Sequence, residues 1–277
     1  MNTPQHERDT TDILALGGFP ILRTTATALA PLVRQKMQQQ QNQPLSLFFA
    51  NTNFIVQCQP LIPKMSDSNT IIVNDGIGID IASWLVHRRT FIENLNGTDF
   101  TPYFLKSLGA DARVFLLGAK PGIAQRAAQN LINQHHINVV GVRNGYDEAK
   151  DTAQVISAIN SSNANVVLVA MGNPHQEQWI LNNRSTLNVQ LLMGVGALFD
   201  FLAGEKTRAP ALIQRMRLEW FYRLCLEPSR LLRRYTLDIA QFLILCLRSG
   251  KRLINTYCAA NTAQTALPNT NKLTEKM

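Results

Sequence analysis

A unit of apolar strand, small-residue loop and amphipathic helix recurs three times in this chain, and it leaves few folds open. Residues 113–118 (Arg-Val-Phe-Leu-Leu-Gly) pass through Ala119-Lys120-Pro121-Gly122 into a helix expected over 123–135. Residues 138–141 lead through Asn144-Gly145-Tyr146 toward a helix around 151–160. Residues 165–172 lead through Asn173-Pro174-His175 into a helix over 176–182, and another apolar run follows at 190–194. Strands that are apolar at every position need cover on both faces, and helices alternating with them supply it. The pattern therefore predicts an α/β fold with a mostly parallel sheet between helical layers. Earlier in the chain a helix is expected over 26–41 and a buried strand over 45–50. A helix over 54–61, a strand over 70–73 and a helix over 79–88 come next.

Asn74-Asp75-Gly76 ends the 70–73 strand. Asn and Asp tolerate left-handed backbone and Gly accepts it freely, so the tripeptide can close a hairpin with 77–81 returning. The other reading puts Asp75 at the carboxyl end of a parallel strand, where open α/β sheets hold their ligands. The surrounding strand-loop-helix units favour the second.

The 277 residues carry a formal charge of +8, which points to an anionic partner such as nucleic acid, phospholipid or a phosphorylated substrate. Most of it lies in residues 205–252, where eleven Lys/Arg face four Asp/Glu. Four scattered cysteines, with no C-x-x-C pair, suggest neither a disulfide framework nor a zinc site. Residues 1–11 are polar and charged, unlike a secretory signal, and no apolar run reaches the roughly 20 residues of a membrane span. Disorder is expected over 1–12 and 259–277. Between them the expected division is a Rossmann-like catalytic core at 13–209 and a helical, basic, membrane-associating appendage at 210–258. Ile239, Phe242, Leu243, Cys246 and Leu247 follow helical spacing between basic flanks. That helix suits either a membrane surface or docking on the core.

Several loops hold candidate chemistry. Gly118-x-x-x-Gly122 follows a strand but lacks the full dinucleotide fingerprint and its acidic partner, so a strand-helix turn explains it better than an NAD site. The five histidines are too dispersed for a metal cluster, and Asp75 and Asp80 have the wrong spacing for a metal-binding carboxylate pair. Asn173-Pro174-His175-Gln176-Glu177-Gln178-Trp179 reads as a ligand loop, or as a cap with Asn173 at N-cap and Pro174 at N1. Asp200, between Phe199 and Phe201, suits base recognition or a turn cap. Arg223, Arg230, Arg233 and Arg234 suit pyrophosphate oxygens, although such a run can equally be a solvated face.

Taken together, several motifs resemble the WecG/TagA/CpsF family of bacterial glycosyltransferases (glycosyltransferase family 26). They are Asn74-Asp75-Gly76, Asn96-Gly97-Thr98-Asp99, Gly145-Tyr146, the 172–179 loop, the Phe199-Asp200-Phe201 segment through Gly204, and the run from Arg208 to Tyr235. The likeness spans roughly residues 12–235. It implies inverting, metal-independent transfer of a sugar from a UDP-sugar to a saccharide carried on undecaprenyl diphosphate. The sugar would be N-acetylmannosamine, its uronic acid, glucose or glucuronic acid, and the setting cell-surface polysaccharide synthesis. The resemblance makes Asp75 the general base. It places Asn53, Asp99, Gly145, Tyr146, Gln176, Glu177 and Asp200 in the substrate site, and Arg223, Arg230 and Arg233 on a diphosphate. No cofactor, metal or nucleic acid is implied. The expected location is cytoplasmic, peripheral on the inner face of the membrane, with oligomeric state open.

The chain departs from relatives at three places. Asn51-Thr52-Asn53 keeps only part of an early Thr-x-Asn motif, His175 stands where many relatives have Lys, and Glu93 and Asn94 replace a basic residue. The competing class is a non-enzymatic Rossmann-like module that binds anionic lipid or nucleic acid through its basic C-terminus.

Overall fold

Residues 12–39, 43–146, 148–149, 151–210, 213, 222 and 239–249 are described by a computed structural model. Its frame is one eight-stranded sheet in the order β1-β2-β4-β3-β8-β7-β5-β6. Strands β3 (Leu45–Ala50), β4 (Thr70–Asn74), β7 (Val166–Ala170) and β8 (Leu191–Gly194) are buried at every position, as their unbroken apolarity requires. β5 (Arg113–Gly118) is buried after its first residue, and β6 (Asn138–Arg143) closes the edge half-covered.

Among the described residues all strand pairings are parallel except one. β1 (Ile13–Leu16) and β2 (Phe19–Leu22) form an antiparallel hairpin across Gly17-Gly18, both at positive φ. The chain does contain a hairpin, but at residues 13–22 and not at Asp75. β4 runs parallel to both β2 and β3, so Asp75 stands at a carboxyl strand end.

Alternate side chains of each strand enter two separate cores. One face takes Leu47, Phe49, Val73, Leu116, Leu168 and Met193 under α1 (Ala26–Gln38), α5 (Gly97–Leu108), α6 (Ile123–His135) and α9 (Leu198–Leu202). The other takes Phe48, Ile72, Phe115, Val167 and Leu192. Over it lie α2 (Thr52–Gln57), α4 (Ile77–His87), α7 (Thr152–Ser161) and α8 (His175–Asn183), with the short α3 (Ile62–Met65) and α10 (Ile239–Ser249) beside them. Each fully buried Leu or Phe contributes about 1.5–3 kcal/mol.

The helix that follows a strand changes face from one strand to its neighbour. β3 feeds α2 on one side, whereas the adjacent β8 feeds α9 on the other. Diverging connections open a crevice at the carboxyl edge, the general place for a ligand in such sheets.

Two expectations need correction. The helix read over 54–61 is α2, a 3-10 turn at Gln59–Leu61 and α3, because Pro60 and Pro63 restart the chain. Asn173 does not cap α8, which begins after Pro174 and has no side-chain cap. The expected disordered ends, and most of 210–258, lie outside the described residues.

Candidate active site

Asp75 leaves β4 with its backbone held on two sides. Its own N–H donates to the Ala50 carbonyl at the end of β3 (2.8 Å), and the next N–H, of Gly76, donates to Asn94 Oδ1 (2.6 Å). Gly76 sits at φ +93°, a backbone that only glycine adopts without strain, and α4 starts directly after it. The loop before α5 braces this turn. Asn74 Nδ2 donates to the Glu93 carbonyl (2.9 Å), while the Glu93 carboxylate accepts from the Ala26 N–H at the start of α1 (2.8 Å). Glu93 and Asn94 thus tie the Asp75 turn to α1.

Beyond β3, Asn51 caps α2 by accepting from the Phe54 N–H (3.0 Å). Asn53 then reaches across to Asn173 in the loop after β7 (3.4 Å). Asn173 turns inward, and its amide donates to Glu177 Oε1 (2.6 Å), which explains why it caps nothing. Gln176 donates to the same oxygen (2.8 Å). Its own Oε1 accepts from the Gly172 N–H (3.2 Å) and the Gly196 N–H (3.0 Å). This one buried amide therefore stitches the β7 loop, the β8 loop and Glu177 together. A Cβ on Gly194 would come within 3.1 Å of that amide nitrogen, so glycine there makes room for it.

Glu177 is 1% exposed. Burial raises its pKa above the usual carboxylate range, against the lowering effect of its hydrogen bonds to Gln176, its own backbone, Asn173 and Cys58. The Cys58 thiol is pushed up by burial and by the neighbouring Glu177. Gln176 and Glu177 stand behind the site surface, with Asn173 and Asn53 in front of them.

The remaining residues come from three more loops at the same edge. Gly145 follows β6, packs onto the Gly118 backbone and donates to the Ala119 carbonyl (2.8 Å), which leaves Tyr146 exposed. Asp200 lies in α9 after β8 and pairs with Lys206 (2.8 Å). Asp99, in the first turn of α5, is bound by Arg208 and by Asn96 (2.8 Å). Burial works to raise its pKa, but the guanidinium and amide outweigh it and hold the carboxyl below the ordinary range. Arg126 pairs with Glu205, so three ion pairs fasten residues 205–208 onto the edge.

The model of the glycosyl transferase WecG/TagA/CpsF family matches residues 14–256. This chain belongs to that family. It is a glycosyltransferase of polysaccharide biosynthesis, and the alternative of a bare binding module gives way to an enzyme.

This WecG/TagA/CpsF glycosyltransferase carries Asn53, Asp75, Gly145, Tyr146, Gln176, Glu177 and Asp200 in the loops or first helical turns that follow five strands, at one edge of the sheet. Hydrogen bonds through Asn173 link Asn53 to Glu177 and Gln176, and Arg208 holds Asp99. Arg223, Arg230 and Arg233 lie outside the described residues. Sequence reasoning missed Asn94, Asn173 as a link to Glu177, and Arg208 as the partner of Asp99. Only the Asn-rich loops hinted at the first two. Among the described residues, no His, Cys, Asp or Glu cluster suited to a metal ion occurs, and no helix is long and apolar enough to cross a membrane. A hollow lined by Arg34, Asp111, Asn165 and Gln190 lies at the opposite strand edge, away from these loops.

Proposed function

We propose that this glycosyltransferase moves a hexose-type sugar from a UDP-sugar to a saccharide on undecaprenyl diphosphate, with inversion and without a metal ion. The two-sided backbone anchorage of Asp75 at the carboxyl strand edge carries the assignment. A general base has to hold one position while the acceptor hydroxyl approaches, and fixed backbone supplies that. Asp75 takes the hydroxyl proton, the acceptor oxygen attacks the anomeric carbon from the face opposite UDP, and the C–O bond to UDP breaks. UDP departs with the bonding electron pair.

The departing diphosphate needs positive charge or aligned N–H groups. The N-termini of α4, α6 and α8 have no side-chain caps and can meet that need. Asp200 and Tyr146 are suited to the nucleotide. Asn53, oriented by Asn173, and Asp99, through Arg208, border the substrates, with Gln176 and Glu177 shaping the loops. Arg223, Arg230 and Arg233 would grip the acceptor diphosphate from an appendage resting on the inner face of the cell membrane. The core at 13–209 and the appendage at 210–258 act as two functional parts.

The test is turnover with a panel of UDP-sugars and a lipid-linked acceptor, alongside a variant with all three arginines changed to Ala. A product of inverted configuration is expected, and the variant should lose turnover far more than UDP binding. Equal losses of both would make the arginines structural. Transfer with retained configuration would overturn the mechanism.

A further inference from the structure

α4 and α10 lie side by side over the same core. Ile79 and Ala82 of α4 and Phe242 and Cys246 of α10 all point into it. The buried Cys246 thiol, its pKa pushed up to about 12 by burial, contacts the Gly17 backbone at the β1-β2 turn. The helix left open between core and membrane is therefore docked by one stripe. Its apolarity on the other side still needs a reason. Ile244 and Leu247 are 49% and 63% exposed.

The neighbouring helix does the same. Ile81, Trp84 and Leu85 of α4 are 50%, 50% and 39% exposed, at i, i+3 and i+4. Residues opposite a buried stripe point away from the sheet, so on two helices covering one sheet face these five side chains face the same way. Large apolar residues gathered on one surface mark an interaction site, whereas scattered ones do not.

We propose that the outward faces of α4 and α10 form one surface that seats on an anionic lipid bilayer. This rests on the lipid-linked acceptor proposed above and extends the membrane contact from the appendage to the catalytic core. Charge selects this occupant. The described part of α10 carries no carboxylate, and the one on α4, Asp80, is buried. Exposed Arg88 and Arg248 stand at the ends of the two helices. Cationic rims around apolar faces repel each other in a self-paired dimer and attract anionic headgroups. The Arg88 guanidinium lies 5.0 Å from the Trp84 ring centroid. A half-exposed indole under an arginine matches the headgroup level of a bilayer, where amphipathic aromatics concentrate. The placement also suits the chemistry. α4 begins two residues after Asp75, so a bilayer on its outer face brings a lipid carrier beside the base.

Sedimentation of the full chain with phosphatidylcholine vesicles, with and without phosphatidylglycerol, tests the surface without donor or acceptor. Wild-type protein should pellet with the anionic vesicles. Trp84→Gln and Leu247→Gln should each weaken binding about tenfold, and Arg88→Gln about fivefold with a shallower salt dependence. Brominated acyl chains should quench wild-type tryptophan fluorescence and quench Trp84→Phe much less. Wild-type affinity in both Gln variants would overturn the proposal. So would a dimer that those variants dissociate while vesicle binding stays the same, which would assign the face to a second copy. Turnover of wild-type protein on a water-soluble acceptor separates these failures from failure of the glycosyltransferase mechanism.

Discussion

Asp75 owes its position to backbone bonds, so the residue most open to a diagnostic substitution is the one that holds the next peptide, Asn94. Asn94→Ala should lower kcat about tenfold through loss of alignment and leave the donor KM within about twofold. Asn94→Asp keeps an acceptor for the Gly76 N–H but adds a carboxylate beside the turn. It should therefore recover part of kcat while moving the acid limb of the pH profile upward. A loss of folding stability with an unchanged profile would reduce Asn94 to scaffold. Glu177 makes a different prediction. A carboxyl whose folded pKa is raised binds more protons folded than unfolded. Its contribution to stability therefore falls as pH rises from the ordinary carboxylate range through the folded pKa. Glu177→Gln should flatten that slope in urea denaturation measured from acid to mildly alkaline pH. Glu177→Ala should cost about 2–4 kcal/mol at every pH, since it strands the Asn173 and Gln176 amides.

Among the elements, the ends of β5 and β7 approach too closely to admit a side chain at Gly118. Gly118 lies at φ +130°, and a Cβ there would sit 2.3 Å from the Ala170 carbonyl oxygen. Gly118→Ala should destabilise the chain by about 2–4 kcal/mol in thermal or chemical melts and disturb the Gly145 loop packed on it. The ion pairs at 205–208 are partly exposed, so a double-mutant cycle on Asp99 and Arg208 should return about 1 kcal/mol or less, shrinking in high salt. β3, β4, β5, β7 and β8 could be read from the sequence because burial on both faces writes an unbroken apolar run. β1 and β2 could not, because four-residue strands split by Gly17-Gly18, with Pro20 inside the second, fall below the period that marks a strand. The cap expected of Asn173 failed because a buried carboxyl competes for its amide, a tertiary effect with no local signature.

Across the molecule, the carboxyl edge was legible because the described candidates other than Asp99 follow strands, and a parallel sheet brings such connections to one side. What the loops do to one another was not. Gln176 reads as a surface ligand in the sequence, yet its amide joins two loops from within. The docking of α10 was equally hidden, since an apolar helix looks the same whether a core or a bilayer covers it. The central claim is that the fold fixes Asp75 as the base of an inverting transfer. Its most direct test is kcat of Asp75→Asn with a UDP-sugar and a lipid-linked acceptor, together with calorimetric UDP binding. The account predicts a fall in kcat of about 10²–10⁴-fold with UDP affinity unchanged. Turnover at the wild-type rate would contradict it.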